Sequence, residues 1–174
     1  MSRLAVDLVP LPLHSALAAT PADYTDAYRV ALPAYLPQQA EAVAWRLFGQ
    51  GPAWVRRLMQ LRDWLVRPFG LTTFPVANLP AYGTPLVTGS RIGPFQVFSV
   101  SAQEVILGQD DRHLNFRASV LVAGAEPAVV VTTVVQFHNW FGRAYFALIR
   151  PFHHLVVPAL LRYALRHSAP PITA

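Results

Sequence analysis

Ala128-Val129-Val130-Val131-Thr132-Thr133-Val134-Val135-Gln136-Phe137 is an almost unbroken apolar, β-branched run, and His138-Asn139-Trp140-Phe141-Gly142-Arg143-Ala144-Tyr145-Phe146 follows it directly. β-Branched side chains are stiff at χ1 and suit a pleated sheet, so the first run reads as a strand. Asn139 suits a helix N-cap, because its side-chain oxygen can accept from a free amide of the first turn. The spacing then predicts a helix from Trp140 to about His167. Phe141, Tyr145, Leu148, Phe152, Leu155, Ala159 and Tyr163 recur on it at steps of three and four, and are expected to face the sheet.

Upstream, Phe95–Ser101, Glu104–Leu107 and Leu114–Val122 read as further strands. Gly108-Gln109-Asp110-Asp111 and Gly124-Ala125-Glu126-Pro127 read as the turns between them. Strands joined by tight turns make an antiparallel meander. Asp23 to Leu32 reads as an earlier strand, ended by Pro33 and Pro37. Ala40, Val43, Ala44, Leu47 and Phe48 mark a first helix, and Trp54, Val55, Leu58, Leu61 and Leu65 a second. Residues 71–90 carry three prolines and two glycines with no period, and read as a long connection. The order is strand, two short helices, meander, long helix. That is an α+β layout, a curved antiparallel sheet around a long C-terminal helix. One domain is expected over residues 23–168, after an extended proline-rich lead-in, 1–22, and before a short tail, 169–174.

Of the 174 residues, 53% are hydrophobic and only 13% charged, which implies a large core, an apolar cavity or an apolar surface that meets a partner. The absence of cysteine excludes disulfides, thiolate metal sites and a cysteine nucleophile. The formal charge is +5, but the arginines are scattered over helix faces and form no dense basic run, so no nucleic-acid role is expected. Asp7, Pro10, Pro12 and His14 interrupt any signal-peptide core. Ala144–Leu165 is apolar enough to suggest a membrane span, but Arg150, Pro151, His153, His154 and Pro158 break it. It reads as a buried helix, with a peripheral membrane contact as a minor option and a cytoplasmic location expected.

Several stretches together resemble a known family. They are Asp23-Tyr24 with Asp26-Ala27-Tyr28; Pro52-Ala53-Trp54-Val55; Leu61-Arg62-Asp63; Phe69-Gly70-Leu71; and Gly108 through Ser119. Thr132-Thr133-Val134-Val135, His138-Asn139, Gly142 through Phe146 and Pro151-Phe152-His153 complete the set. Over about residues 23–163 the chain resembles the bacterial family called domain of unknown function 2867. That family is similar to the helix-grip superfamily of START lipid-transfer domains, polyketide cyclases and birch-pollen allergen. The resemblance implies a helix-grip fold around an apolar cavity. It carries over no catalytic residues.

Candidate chemistry is sparse. Asp110-Asp111-Arg112-His113 reads as a polar turn, since adjacent residues rarely converge on one ion. Alternation places Asn115, Arg117 and Ser119 on one face of their strand. If that face is concave, Arg117 needs a carboxylate, and Glu104 on the preceding strand is the natural partner; if it faces outward, the pair is a weak surface bridge. The inward pair is the expectation. His138 reads as a corner histidine, and adjacent His153 and His154 diverge by about a hundred degrees on a helix and do not chelate together. No zinc-helix motif, phosphate loop or nucleophile elbow is present. The function expected is binding of a hydrophobic small molecule, a lipid or polyketide, with Glu104, Arg117, His138 and Tyr145 as polar contacts and no metal or cofactor. One alternative is a cyclase- or dehydratase-type enzyme using His138, Glu104 or Tyr145 as proton carrier. The other is a protein- or membrane-surface interaction module.

Overall fold

The computed structural model describes residues 4–67, 80–123 and 127–167. The strands are β1 (Val6–Leu8), β2 (Tyr24–Ala31), β3 (Arg91–Ile92), β4 (Phe95–Val100), β5 (Glu104–Asp110), β6 (Leu114–Ala123) and β7 (Ala128–Phe137). The helices are α1 (Ala40–Phe48), α2 (Ala53–Val66) and α3 (Trp140–Arg166). All seven strands form one antiparallel sheet in the order β1-β2-β7-β6-β5-β4-β3, consistent with a helix-grip-like fold. The early strand β2 therefore lies against the last strand β7. Their register, from Tyr24 opposite Val135 to Ala31 opposite Ala128, joins the two ends of the chain.

Ala128 to Val135 of β7 are all buried, because both faces of the sheet are covered. On one face Val30, Val97, Val105, Leu107, Val120, Val129 and Val131 pack under α1 and the C-terminal half of α3. The opposite face is covered from residues 9–20. Leu17 packs with Ile106 and Val134, and Val9 with Ala27, Leu121 and Val130. The expected lead-in thus contains an edge strand and a lid over half the sheet, for which proline-rich sequence offers no period. Thr132 sits under this lid with its hydroxyl buried and unpaired among the described residues. An unpaired buried hydroxyl carries its full desolvation cost, so Thr132→Val should raise stability by about 1 kcal/mol in urea melts.

Two expectations change. Strand β5 continues through Gly108 and Gln109 to Asp110, so the turn lies at Asp111–His113. Gly108 stays in the strand because a Cβ there would collide with the Phe116 carbonyl and crowd Arg117. The second change is the phase of α3. Gly142, Phe146, Leu161, Ala164 and Leu165 are its buried residues, whereas Leu148 and Leu155, expected against the sheet, are 70% and 66% exposed. The helix is rotated by about a third of a turn from the aromatic stripe. Its start sets the rotation: a Cβ at Gly142 would overlap the His113 carbonyl, so only a glycine lets α3 approach the β5–β6 turn on that side. Residues 71–79 of the long connection, the Gly124–Glu126 part of the second turn, Phe69-Gly70-Leu71 and the tail lie outside the described residues.

Candidate functional site

The rotation of α3 turns His153 and His154, not the aromatic stripe, toward β2. Tyr24, Asp26 and Tyr28 alternate on the helix-facing side of that strand. Asp26 is only 8% exposed and lies opposite Thr133, whose side chain also hydrogen-bonds it. The Tyr24 hydroxyl donates to Asp26 Oδ2 at 2.7 Å. His153 Nε2 lies 3.1 Å from Oδ2 and 3.3 Å from Oδ1, joining residues 127 positions apart. His154 Nδ1 is 2.6 Å from the Tyr28 hydroxyl and 3.8 Å from Asp26 Oδ2. Its other nitrogen, Nε2, is 3.4 Å from the Tyr24 hydroxyl. The Arg150 guanidinium stands over the Tyr24 ring, 5.9 Å from its centroid.

The electrostatics of this cluster follow from burial against hydrogen bonding. Burial opposes ionisation of Asp26, but hydrogen bonds from His153, Tyr24 and Thr133 and the nearby His153 charge outweigh it. The carboxyl is held below its usual range. Burial pushes the Tyr24 hydroxyl up, as do its hydrogen bond to Asp26 and the Asp26 charge; burial and Asp26 also raise Tyr28. The result is an ionised carboxylate beside two phenols, Tyr24 and Tyr28, held in their protonated form. His153 is well covered, while the His154 side chain is 39% exposed and forms the outward edge.

The four polar contacts expected from sequence do not converge. Glu104 and Arg117 share the face under the N-terminal lid, away from α3, but do not pair. Glu104 accepts from Ser15 Oγ at 2.6 Å, from the Ala16 amide at 2.9 Å and from Ser119 Oγ. Arg117 instead pairs with Asp110 at 2.7 Å, donates to the Phe116 carbonyl and lies over the Phe98 ring. The register explains this. Glu104 stands opposite Leu121, two rungs beyond Ser119, whereas Arg117 stands opposite Gly108, beside Asp110. His138 is exposed at the corner, held through its own amide to the His113 carbonyl. Tyr145 accepts from Arg62 Nε at 2.8 Å and ties α3 to α2.

A second feature lies at the start of α3. Asn139 caps the helix through Gly142 N at 3.0 Å, and His113 packs on the Phe141 ring. Arg112, His113, Asn139, Trp140 and Phe141 line an open hollow of about 400 Å³ there. A hollow of about 70 Å³ beside Arg117 lies under the N-terminal lid. Neither is between α3 and the sheet. Among the described residues no group of three or more histidine, aspartate or glutamate side chains is arranged to hold a metal.

Asp26 and His153 belong to the first and last of the stretches that carried the family resemblance, and the fold brings them into contact. A family model described as a protein of unknown function, DUF2867, matches residues 18–160. The chain belongs to the DUF2867 family. The DUF2867 match contains the whole Asp26 cluster, both short helices and most of α3. No curated protein and no solved structure gives a match. The cluster was missed in the sequence because Asp26 is a lone acid in an apolar strand. The available signal was its position between Tyr24 and Tyr28 on one face.

Proposed function

We propose that this DUF2867 protein binds a hydrophobic small molecule with an acidic head group, along the side of α3 that faces the β1–β2 edge of the sheet. The observation that carries this reading is the Asp26 cluster itself: an ordered polar group inside an apolar helix–sheet contact, with one histidine edge open. Its inner members saturate Asp26 and hold His153 and Tyr24 in place. Its outer members, His154 and Arg150, are donors or cations suited to a carboxylate or phosphate, and the buried Tyr28 hydroxyl holds His154 in place. Leu8 stands opposite Tyr28 in the β1–β2 register, on the same face, and is 67% exposed. It offers apolar surface for a chain running away from the head group, and burial of such area supplies most of the affinity of an apolar ligand. The likeness to helix-grip lipid carriers points the same way.

A second reading, proton-transfer chemistry of the cyclase or dehydratase kind, draws on the 2.6 Å contact between Tyr28 and His154 beside Asp26. In it His154 replaces His138, Glu104 and Tyr145 as the proton carrier. Native mass spectrometry of the freshly purified chain tests the leading reading. A co-purified acidic amphiphile, or one-to-one uptake of added palmitate, is expected. A bare protein mass that palmitate does not change would refute it.

A further inference from the structure

We infer that the outer face of α2 and α3 docks the protein on an anionic lipid bilayer. The two helices lie antiparallel. A Cβ on Gly51, just before α2, would stand 3.2 Å from Leu160 late in α3, and Arg62 late in α2 bonds Tyr145 early in α3. In that arrangement the flank of α2 bearing Trp54, Leu61 and Leu65 points away from the sheet, on the same side as Leu148, Phe152 and Leu155 of α3. All six are exposed. Trp64 of α2 and Trp140 at the start of α3 are exposed as well, and tryptophan suits the headgroup level of a membrane.

Charge selects the occupant. The cations of the two helices include the exposed Arg56, Arg57, Arg162 and Arg166, with Arg143 paired to Asp23 and Arg150 over Tyr24, while the sole acid on either helix is Asp63, already bonded to Arg62. An apolar strip rimmed only by positive charge is complementary to anionic headgroups over acyl chains. It is a poor match for a second copy of the same cationic face. Helix α3 is long and apolar enough to cross a membrane, with little of its apolar window buried in the protein. Its inner face is nevertheless bonded to β2 through His153 and His154, so the helix lies along the bilayer surface with the sheet attached.

The test is co-sedimentation of the full chain with vesicles of phosphatidylcholine alone and of equal parts phosphatidylcholine and phosphatidylglycerol. Binding to the anionic vesicles is expected to be at least tenfold tighter, and to weaken at least tenfold from 50 to 500 mM salt. The Leu148→Glu, Leu155→Glu double variant changes exposed positions only and should keep the parent's circular dichroism and melting temperature. It should lose anionic binding at least tenfold. His154→Phe, which alters the proposed ligand site, should leave partitioning unchanged, so failure of the ligand reading and failure of docking are told apart. Equal binding to both vesicle types, no binding, or full binding by the double variant overturns the inference. So does a dimer in sedimentation equilibrium that the double variant abolishes without any vesicle binding, which would assign the face to a second copy.

Discussion

Glu104→Ala should destabilise the protein by about 3 kcal/mol in urea melts, the largest effect expected on the lid side of the sheet. Its carboxyl, 9% exposed, accepts from Ser15, the Ala16 amide and Ser119, so it holds the N-terminal segment to β5 and β6. Truncation leaves three donors unmatched and loosens the cover over Leu17, Ile106 and Val134. Arg117→Met should cost only about 1 kcal/mol, because its partner Asp110 is half exposed and screened. Since Glu104 and Arg117 do not touch, the double variant should equal the sum of the singles within about 0.5 kcal/mol. A coupling above about 1 kcal/mol would restore the direct ion pair that the register argues against.

Asp26→Ala should cost about 2–4 kcal/mol at neutral pH, because it strips the shared acceptor from Tyr24, Thr133 and His153 inside the α3–β2 contact. The pH dependence has a definite sign. The folded carboxyl is held below its unfolded value, so the folded state binds fewer protons through the acid range. Asp26 therefore contributes its full stabilisation above the ordinary carboxylate range near about pH 4, and loses it as pH falls through the lower folded pKa. The parent should lose stability on acidification below about pH 4, and Asp26→Asn should lose less over the same interval. Equal acid slopes in the two proteins would show that Asp26 is not ionised in this cluster.

The order of elements was legible in the sequence, and the reasons are local. The β-branched run at 128–137, the Asn139 cap and the prolines at 33 and 37 each fix a boundary by their own stereochemistry. What could not be read was set by contacts between distant residues. The phase of α3 depends on Gly142 meeting the His113 carbonyl, while periodicity alone preferred the aromatic stripe, of which Leu148, Phe152 and Leu155 end up outside. The partners of Glu104 lie in a proline-rich segment without pattern. Alternation correctly put Arg117 with Asn115 and Ser119, but it does not specify register, and Glu104 opposite Leu121 lies four rungs from Arg117 opposite Gly108. His153 and His154, expected to diverge, both reach Asp26 Oδ2, at 3.1 and 3.8 Å. The roughly hundred degrees between them lets His153 bond Asp26 while His154 also bonds Tyr28 at the outer edge.

The central claim is that the open edge of the Asp26 cluster anchors an acidic amphiphile. It is tested most directly by fluorescence titration with parinaric acid, a polyene fatty acid, against the parent, His154→Phe and Leu8→Glu. The parent should bind one equivalent with Kd on the order of 1 μM, and both variants should bind at least tenfold more weakly while keeping the parent's circular dichroism. Unchanged affinity in both variants, or no saturable binding by the parent, would contradict the claim.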